Sequence, residues 1–389
     1  MKKIGLILMI LASSALVACG AKKDDGAPVK STSKSTSAIK KPTPSKSSET
    51  PFSSDEPISS ETLPSSNQTV KTSDVQGSDL TKARLSLYEA GVNSSSISDE
   101  QLLKYWDEAK KEKLDFGWIV SKVPASVAGV YTTNKVIAAP LLVTKQSIAT
   151  KQQMQAIVVN SGVAYSCTGQ KGFEDALFMQ EASANQLGIE KDLVGIASTG
   201  VIGEFLPRQT VASGLKQLDL DGHAEQFAQA ILTTDTGTKT ITVQEEIFGS
   251  TVTMSGVAKG SGMIHPNMAT MLAFITCDAS ISSSLLQKAL SEEVETSFNQ
   301  ITVDGDTSTN DMVLVLANGC ATSAEIQEGS QEYAQFVSML HLVMTELAKM
   351  IAKDGEGATK LIQVDVTGAT TPLAARMVAK SIVGSSLVK

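Results

Sequence analysis

The chain has 389 residues, of which 42% are hydrophobic and 19% charged, so it is long enough to bury a sizeable core in one to three domains. Its formal net charge is -8 at pH 7, and no basic stretch interleaves with aromatic residues, which argues against nucleic acid as a partner. The composition therefore favours small-molecule partners.

A targeting segment is predicted over residues 1–19. It opens with two lysines, continues with an apolar run from residue 4 to residue 15, and ends in Leu16-Val-Ala-Cys19, which resembles the motif at which bacterial lipoproteins are cleaved and acylated. The apolar run is well short of the roughly 20 residues that a membrane-spanning helix needs. We therefore expect Cys19 to carry lipid and to anchor the chain to the cell membrane on its extracytoplasmic side.

Residues 20–78 consist mostly of Ser, Thr, Lys, Pro and Glu, as in Lys30-Ser-Thr-Ser-Lys-Ser-Thr-Ser37. Such a composition cannot bury enough apolar surface to offset the entropy lost on ordering. The segment is predicted to be a disordered, flexible tether that holds a folded part away from the membrane.

Residues 79–116 return to a helical pattern. Leu102, Tyr105 and Trp106 recur at helical spacing, and Ser98 with Gln101 forms a plausible capping box at the start of that helix. We interpret Tyr105 and Trp106 as core residues rather than a binding site. The segment is predicted to be a small helical module of the kind that surface lipoproteins carry.

From residue 117 to residue 389 short apolar runs alternate with helical stretches, which predicts a layered α/β fold. Strands are predicted at 129–131, 141–143, 156–159, 251–257, 312–317 and 361–366, and helices at 174–187, 285–298 and 333–352.

One stretch of this region, Lys259 to Phe274, combines a glycine-rich turn, a rigid Pro266, and Ala269-Thr270 leading into an apolar run. If the peptide bond before Thr270 broke, the new chain would begin with a threonine whose own amine could deprotonate its hydroxyl. The alternative is that the stretch is an ordinary turn before a buried strand.

This stretch resembles the processing site of the ornithine acetyltransferase (glutamate N-acetyltransferase) family of arginine biosynthesis. Further blocks that are similar to the family, in the family's order, are Val123-Pro-Ala, Gly129-Val-Tyr-Thr-Thr-Asn134, Ile157-Val-Val-Asn-Ser-Gly162, Cys167-Thr-Gly169, Ala197-Ser-Thr-Gly-Val-Ile-Gly203, Thr233-Thr-Asp-Thr236, Ile301-Thr-Val-Asp-Gly-Asp-Thr-Ser-Thr-Asn-Asp311 and Lys353-Asp-Gly-Glu-Gly-Ala-Thr-Lys360. The resemblance covers about residues 120–389. It implies a layered αββα-type fold, self-cleavage into α and β chains, and further assembly into a homo-oligomer.

The resemblance also implies roles for individual residues. Thr270 is the implied nucleophile, freed by cleavage after Ala269, and Thr199 with Gly200 is the implied oxyanion hole. Thr233, Lys259 and Glu356 match substrate contacts of the family, with Thr233 against Thr234 uncertain by one position. Without the resemblance, the glycine-rich turn at Thr199 and Gly200 would be interpreted as a strand-to-helix turn.

The sequence lacks the residue patterns of a serine-type catalytic triad, of a calcium-binding loop and of a zinc site. His223, His265 and His341 are the only histidines, and no Gly-x-Ser-x-Gly elbow accompanies them. Asp304, Asp306 and Asp311 lack the glycine and terminal glutamate of a calcium-binding EF-hand loop and are interpreted as a polar connection. The remaining cysteines, Cys167, Cys277 and Cys320, are far apart and imply neither zinc nor a disulfide framework.

The chain departs from the family pattern at several places. Val163 and Tyr165 stand where the family shows asparagines, and Gly237-Thr238 replaces an aromatic residue and a proline. Family members are expected to continue for many tens of residues beyond Lys389 and to carry there an asparagine and a threonine that close over the substrate. We therefore expect a family domain that is truncated behind a lipoprotein head.

The sequence leads to two functional hypotheses. The first is acetyl transfer from N-acetylornithine to glutamate through Thr270, with no metal and no tightly held cofactor, and with acetyl-CoA as a further donor if the enzyme is bifunctional. The second is a catalytically inactive, membrane-tethered surface lipoprotein produced by a gene fusion. Cys19 and the tether favour the second hypothesis, whereas the matched residues around Thr270 favour the first.

Overall fold

A computed structural model describes residues 80–81, 83–84, 98–103, 114–265 and 271–389. Several predictions lie outside these residues: the targeting segment with Cys19, the tether, the aromatic pair Tyr105 and Trp106, and the bond between Ala269 and Thr270. By their contacts the described residues fall into two units, one that ends at residue 103 and one that covers residues 114–389.

The described residues of the first unit are helical at 80–81, 83–84 and 99–103. The hydroxyl of Ser98 accepts a hydrogen bond from the Gln101 N–H at 3.2 Å, which is the first half of the predicted capping box. Arg84 forms an ion pair with Asp99. Within the predicted segment 79–116, the described residues up to 103 are thus helical apart from Ser98, whereas Leu114 and Asp115 lie outside any helix and Phe116 begins a strand.

The second unit is built on a seven-stranded sheet. Its strands are β1 (Phe116–Tyr131), β2 (Gln153–Asn160), β3 (Val194–Ser198), β4 (Lys239–Ile247), β5 (Ser250–Lys259), β6 (Leu272–Cys277) and β7 (Met312–Ala317). They lie in the order β3-β2-β1-β7-β6-β5-β4. The pairs β2–β3 and β6–β7 are parallel, and the other neighbouring pairs are antiparallel.

Helices cover the sheet on both faces. They are α1 (Ala139–Lys151), α2 (Gly169–Leu187), α3 (Arg208–Leu215), α4 (Ala224–Ala230), α5 (Ser283–Glu293), α6 (Gln331–Lys353) and α7 (Pro372–Val383). Helices α5 and α6 pack against one face of the sheet, around residues such as Ile275 and Val315. Helices α1 and α4 pack against the other face, where Leu141 and Phe227 meet Leu314. The layered α/β fold class is confirmed.

Long, strongly patterned segments fold as their sequences predict. All six residues of β7 are buried because helices lie on both faces, so its pattern is continuously apolar. In α6, Phe336, Leu340, Val343 and Leu347 recur every three or four residues, and all are buried. The predicted strands at 129–131, 156–159 and 251–257 and the other predicted helices are also present. In the described part of the chain, no helix is both long and apolar enough to cross a membrane.

The strand predicted at residues 141–143 is wrong. These residues belong to the first turns of α1, in which Leu141 and Val143 are buried and Leu142 is exposed. A short apolar run cannot be assigned to strand or helix by its pattern alone. Pro140 at the first turn favours the helix, because proline lacks the N–H that the first turn leaves unpaired.

The strand predicted at residues 361–366 is also wrong. This segment has no strand assignment, and the edge strands β3 and β4 pair only with their inner neighbours β2 and β5. Leu361 and Ile362 are exposed. Apolar patterning favours an extended chain, but a strand also needs a partner for its backbone groups, and the described residues supply none to this segment.

The connection between β5 and β6 has a defined geometry at both of its ends. Lys259, the last residue of β5, pairs with Leu272, the first residue of β6. The chain therefore leaves the sheet after Lys259 and returns at the same level in the next strand.

Candidate active site

Lys259 is the centre of the candidate site. Its side chain is buried, with 3% exposure, at the carboxyl end of β5. The ammonium donates to the hydroxyl of Thr233 at 2.7 Å and lies 3.4 Å from the hydroxyl of Thr199. Three residues from three distant parts of the sequence therefore meet at one point. The contact is to Thr233 rather than Thr234, the neighbour that the sequence left as an alternative.

Thr199 and Gly200 form a tight turn directly after β3. The N–H of Thr199 donates to the carbonyl of Asn160 at 2.9 Å, which joins the turn to the end of β2. Gly200 has a φ of +123°, and a Cβ at this position would lie 2.5 Å from the Gly162 carbonyl oxygen, so only glycine fits. Within the described part of the chain the Gly200 N–H donates to no acceptor. The turn thus places a hydroxyl next to an N–H that has no acceptor among the described residues.

The side chain of Asn310 holds this turn in place. Its side-chain amide donates to the carbonyl of Ser198 at 2.9 Å and to the carbonyl of Ala164 at 3.0 Å. The side chain is buried, so these hydrogen bonds have little competition from water. The sequence analysis missed this role, although Asn310 stands within a polar run that immediately precedes a buried strand.

The buried carboxylate of Asp235 lies close to two lysines, Lys239 and Lys259. One carboxylate oxygen accepts from the Lys239 ammonium at 2.7 Å and from the Gly260 N–H at 2.6 Å. The other oxygen accepts from the Thr233 N–H at 3.1 Å and lies 3.8 Å from the Lys259 ammonium. Burial opposes ionisation of this carboxyl, but the two lysines and the Gly260 N–H outweigh burial and hold the pKa of Asp235 below its usual range.

The groups around Lys259 shift its pKa in opposite directions. Burial lowers its pKa, and the nearby Lys239 lowers it further, while Asp235 and Asp311 oppose both effects. The net pKa of Lys259 lies below its usual value. Its charge state therefore depends on the carboxylates around it.

Lys239 and Asp354 extend the charged cluster to the end of α6. The Lys239 ammonium lies 2.6 Å from Asp354 as well as 2.7 Å from Asp235, and it is almost completely buried. Asp354 also accepts from the Thr236 N–H at 3.0 Å. The start of β4 and the end of α6 are therefore joined by a buried ion pair.

Glu356 lies beside the turn that follows Lys259. Its N–H donates to the Ser261 carbonyl at 2.9 Å. A Cβ on Gly262 would lie 2.4 Å from a Glu356 carboxylate oxygen, so this carboxylate rests against the glycine. Glu356 is exposed, and among the described residues its carboxylate makes no ion pair with Lys259. The site thus has a buried cation and, at its rim, an accessible anion.

Asp311 is another residue that the sequence analysis did not place in the site. It is completely buried, and one carboxylate oxygen accepts from the Met271 N–H at 2.8 Å. Its other oxygen has no hydrogen-bond partner among the described residues. Burial raises the pKa of this carboxyl well above its usual value, and the Met271 N–H opposes that shift only in part. An incompletely paired acid therefore holds Met271, the residue that follows Thr270 in the sequence.

A family model described as the ArgJ family matches residues 103–389. The chain belongs to the ArgJ family. A curated relative from Streptococcus thermophilus, named arginine biosynthesis bifunctional protein ArgJ, is 68% identical over 280 residues, which cover 72% of this chain and 70% of the relative.

Two solved structures are similar in sequence. An arginine biosynthesis bifunctional protein ArgJ from Bacillus halodurans has 52% identity and a TM-score of 0.40, covering 41% of this chain and 85% of that chain. An ornithine acetyltransferase from Mycobacterium tuberculosis, complexed with ornithine, has 31% identity and a TM-score of 0.35, covering 40% and 83%. Membership of the ArgJ family confirms the predicted resemblance and the predicted enzyme class, which is acetyl transfer in arginine biosynthesis.

In this ArgJ-family chain, four of the predicted site residues meet at Lys259, and Glu356 lies on the adjoining turn. Ala269 and Thr270 lie outside the described residues, as does Cys19. Described residues on either side of the predicted cleavage site are held by carboxylates: Asp304 accepts from the Ile264 N–H at 2.9 Å, and Asp311 accepts from the Met271 N–H at 2.8 Å.

Two of the three acidic residues of the 301–311 connection, Asp304 and Asp311, thus accept hydrogen bonds from backbone N–H groups. Asp304 also accepts from the Asp306 N–H at 3.1 Å, which agrees with the interpretation of this stretch as a polar connection. Across the described ranges, no group of three or more His, Cys, Asp and Glu side chains is placed to hold a metal ion. Cys167, Cys277 and Cys320 are free thiols.

Proposed function

We propose that this ArgJ-family chain transfers an acetyl group from N-acetylornithine to glutamate, with Thr270 as the nucleophile. One observation carries the proposal: the Lys259 ammonium contacts Thr233 and lies beside Thr199, which Gly200 follows directly, at the end of the strand that leads toward Thr270. A buried cation for a carboxylate and a pair of donors for an oxyanion are the groups that acyl transfer between amino acids requires.

The first half-reaction acylates the enzyme. The Thr270 hydroxyl attacks the acetyl carbonyl of the donor, and its proton passes to the α-amine of Thr270. The oxygen of the tetrahedral intermediate accepts hydrogen bonds from the Thr199 hydroxyl and the Gly200 N–H. The C–N bond then breaks, the leaving nitrogen takes the proton, and ornithine departs from an acetyl-threonine ester.

The second half-reaction returns the enzyme to its starting state. The α-amine of glutamate attacks the ester carbonyl, and the same two donors stabilise the second tetrahedral intermediate. The C–O bond breaks, the Thr270 hydroxyl regains a proton, and N-acetylglutamate leaves. Such a sequence gives ping-pong kinetics.

Substrate recognition follows from the placement of the charges. Lys259 and Thr233 bind the α-carboxylate, which suits a buried ammonium that already donates to a hydroxyl. The exposed carboxylate of Glu356 binds the side-chain amine of ornithine at the rim. Acetyl-CoA would serve as a second acetyl donor to the same threonine, and assaying acetyl transfer from acetyl-CoA to glutamate tests this.

The proposed nucleophile has to be released from the chain first. Attack of the Thr270 hydroxyl on the Ala269 carbonyl converts the peptide bond into an ester with a free α-amine, and water then hydrolyses the ester. The products are residues up to Ala269 and residues 270–389. Because the attack is intramolecular, it needs no bound substrate, and the donors at Thr199 and Gly200 would stabilise its oxyanion. The two fragments are proposed to remain together and to assemble as a homo-oligomer.

Mass spectrometry of the purified protein tests the cleavage. Wild type should give two fragments that meet at Ala269 and Thr270, and Thr270→Ala should stay intact. Transfer of labelled acetyl groups from N-acetylornithine to glutamate then tests the reaction, and a fully cleaved protein without any transfer would refute it. Thr233→Ala should raise KM, whereas Thr234→Ala is the matched control that should not.

The catalytically inactive lipoprotein is the second candidate, and the Leu16-Val-Ala-Cys19 motif favours it. A lipid on Cys19 would place the protein at the membrane, tethered through residues 20–78. Detergent-phase separation of expressed protein is the test, with Cys19→Ala as the matched variant that should move to the aqueous phase. Wild type that stays in the aqueous phase would remove the motivation for this candidate.

A further inference from the structure

We propose that Asp235 is a positioning residue that keeps Lys259 protonated and directed at the hydroxyls of Thr233 and Thr199, so that the site binds a substrate carboxylate across neutral and mildly alkaline pH. This inference rests on the proposed function for its substrate, but what it directly predicts is the charge state of Lys259.

The geometry gives Asp235 a central place among the elements of the site. Its two oxygens together accept from the Thr233 N–H, the Lys239 ammonium and the Gly260 N–H, and its side chain is completely buried. Gly260 directly follows Lys259, and Thr233 is the residue to which Lys259 donates at 2.7 Å. A single carboxylate therefore fixes the backbone of the residue that follows Lys259 and the backbone of the residue to which the Lys259 ammonium donates.

The charges that face Lys259 come from three elements. Asp235 lies 3.8 Å away, on the loop before β4, and favours the ammonium. Lys239, in β4, disfavours it, while Asp311, on the loop before β7, favours it. Asp311 is itself pushed toward its neutral form by burial, so it supplies little negative charge. Asp235 is therefore the principal ionised group that keeps a proton on Lys259.

A neutral lysine would change the site. Loss of the proton removes the cation and turns a charge-assisted hydrogen bond to a carboxylate into a weak neutral one, which costs about ten- to a hundredfold in affinity. Asp235→Asn should therefore raise KM for the carboxylate-bearing substrates about tenfold or more at pH 8.5. The rise should be smaller at pH 6 than at pH 8.5, because lower pH favours the protonated form of Lys259. A purely architectural role would give a defect that is similar at both pH values.

The direct experiment is a proton titration of Lys259 by NMR in the full-length protein labelled with [ε-13C]lysine. The Lys259 signal is the one that disappears in Lys259→Met. Asp235→Asn should move the titration midpoint of this signal to lower pH. Asp354→Asn is the matched control, because Asp354 contacts Lys239 but not Lys259 among the described residues, and it should leave the midpoint almost unchanged.

Lys239→Met provides an independent test if Asp235→Asn does not fold. It removes the like charge that disfavours a proton on Lys259, so the midpoint should move to higher pH. An unmoved Lys259 midpoint in Asp235→Asn, or an unmoved midpoint in Lys239→Met, would overturn the inference. The titration does not depend on catalysis, so a shifted midpoint in a protein without acetyl transfer would uphold this inference while the proposed function failed.

Discussion

Replacement of Asp311 by asparagine should stabilise the protein in a pH-dependent way. The carboxyl is completely buried and one of its oxygens is unpaired among the described residues, so burial raises its pKa in the folded state. In the unfolded chain it ionises near the ordinary value of about 3.9. The folded state thus keeps a proton that the unfolded state releases. Wild-type stability from this group is complete below the unfolded pKa and is lost as pH rises toward the folded one.

The expected size follows from proton linkage. Between the unfolded and folded pKa values, wild type loses about 1.4 kcal/mol of unfolding free energy for each pH unit through this one group. Asparagine has no proton to exchange, and its carbonyl can still accept from the Met271 N–H. The difference in unfolding free energy between Asp311→Asn and wild type should therefore grow by that amount per unit. It should level off where pH passes the folded pKa.

Urea unfolding followed by circular dichroism between pH 5 and pH 8 measures this difference. Both proteins should carry Thr270→Ala, so that the proposed cleavage does not contribute. Ser330→Ala is the control, because it removes an uncharged helix cap and its effect should not depend on pH. A difference for Asp311→Asn that is constant across this range would show that the buried carboxyl is already ionised in the folded protein, and the reasoning would be refuted.

Four further substitutions test the turn at Thr199 and Gly200 and the capping of α6. Gly200→Ala should abolish fragment formation and lower acetyl transfer at least about 100-fold, because the added methyl group would lie 2.5 Å from a backbone oxygen. Gly203→Ala, whose methyl group meets no atom within 4 Å, should cost much less in the same assays. Asn310→Ala should lower kcat more than it changes KM in the acetyl-transfer assay. The substitution removes the hydrogen bond by which Asn310 holds the Ser198 carbonyl, directly before the turn. Ser330→Ala should lower the free energy of unfolding by about 1 kcal/mol in urea, because its hydroxyl caps α6.

The sequence predicted the elements whose burial is settled by their own pattern. Helix α6 is the main example, since its apolar pattern is long enough to exclude other structures. It misassigned residues 141–143 and 361–366, because runs of three to six residues do not by themselves decide between structures. In the first case a proline at the helix start decided the outcome, and in the second the lack of a described partner strand did.

The candidate site shows the same division. Thr199, Gly200, Thr233 and Lys259 could be found because the family resemblance marks them, and the fold brings them together. The roles of Asp235 and Asp311 could not be found from sequence. Both depend on charges and N–H groups that are distant in the chain and become neighbours only when the sheet forms.

The strand order has a consequence for the proposed cleavage. A cut between Ala269 and Thr270 would give the carboxyl-terminal fragment strands β6 and β7, which lie between β1 on one side and β5 on the other. Both flanking strands belong to the amino-terminal fragment, so neither fragment could form the complete sheet without the other. Separation of the fragments would require breaking two rows of backbone hydrogen bonds at once. The cut would thus turn a single chain into an interleaved heterodimer whose two fragments could not fold independently. The chain would therefore have to fold first and be cleaved second.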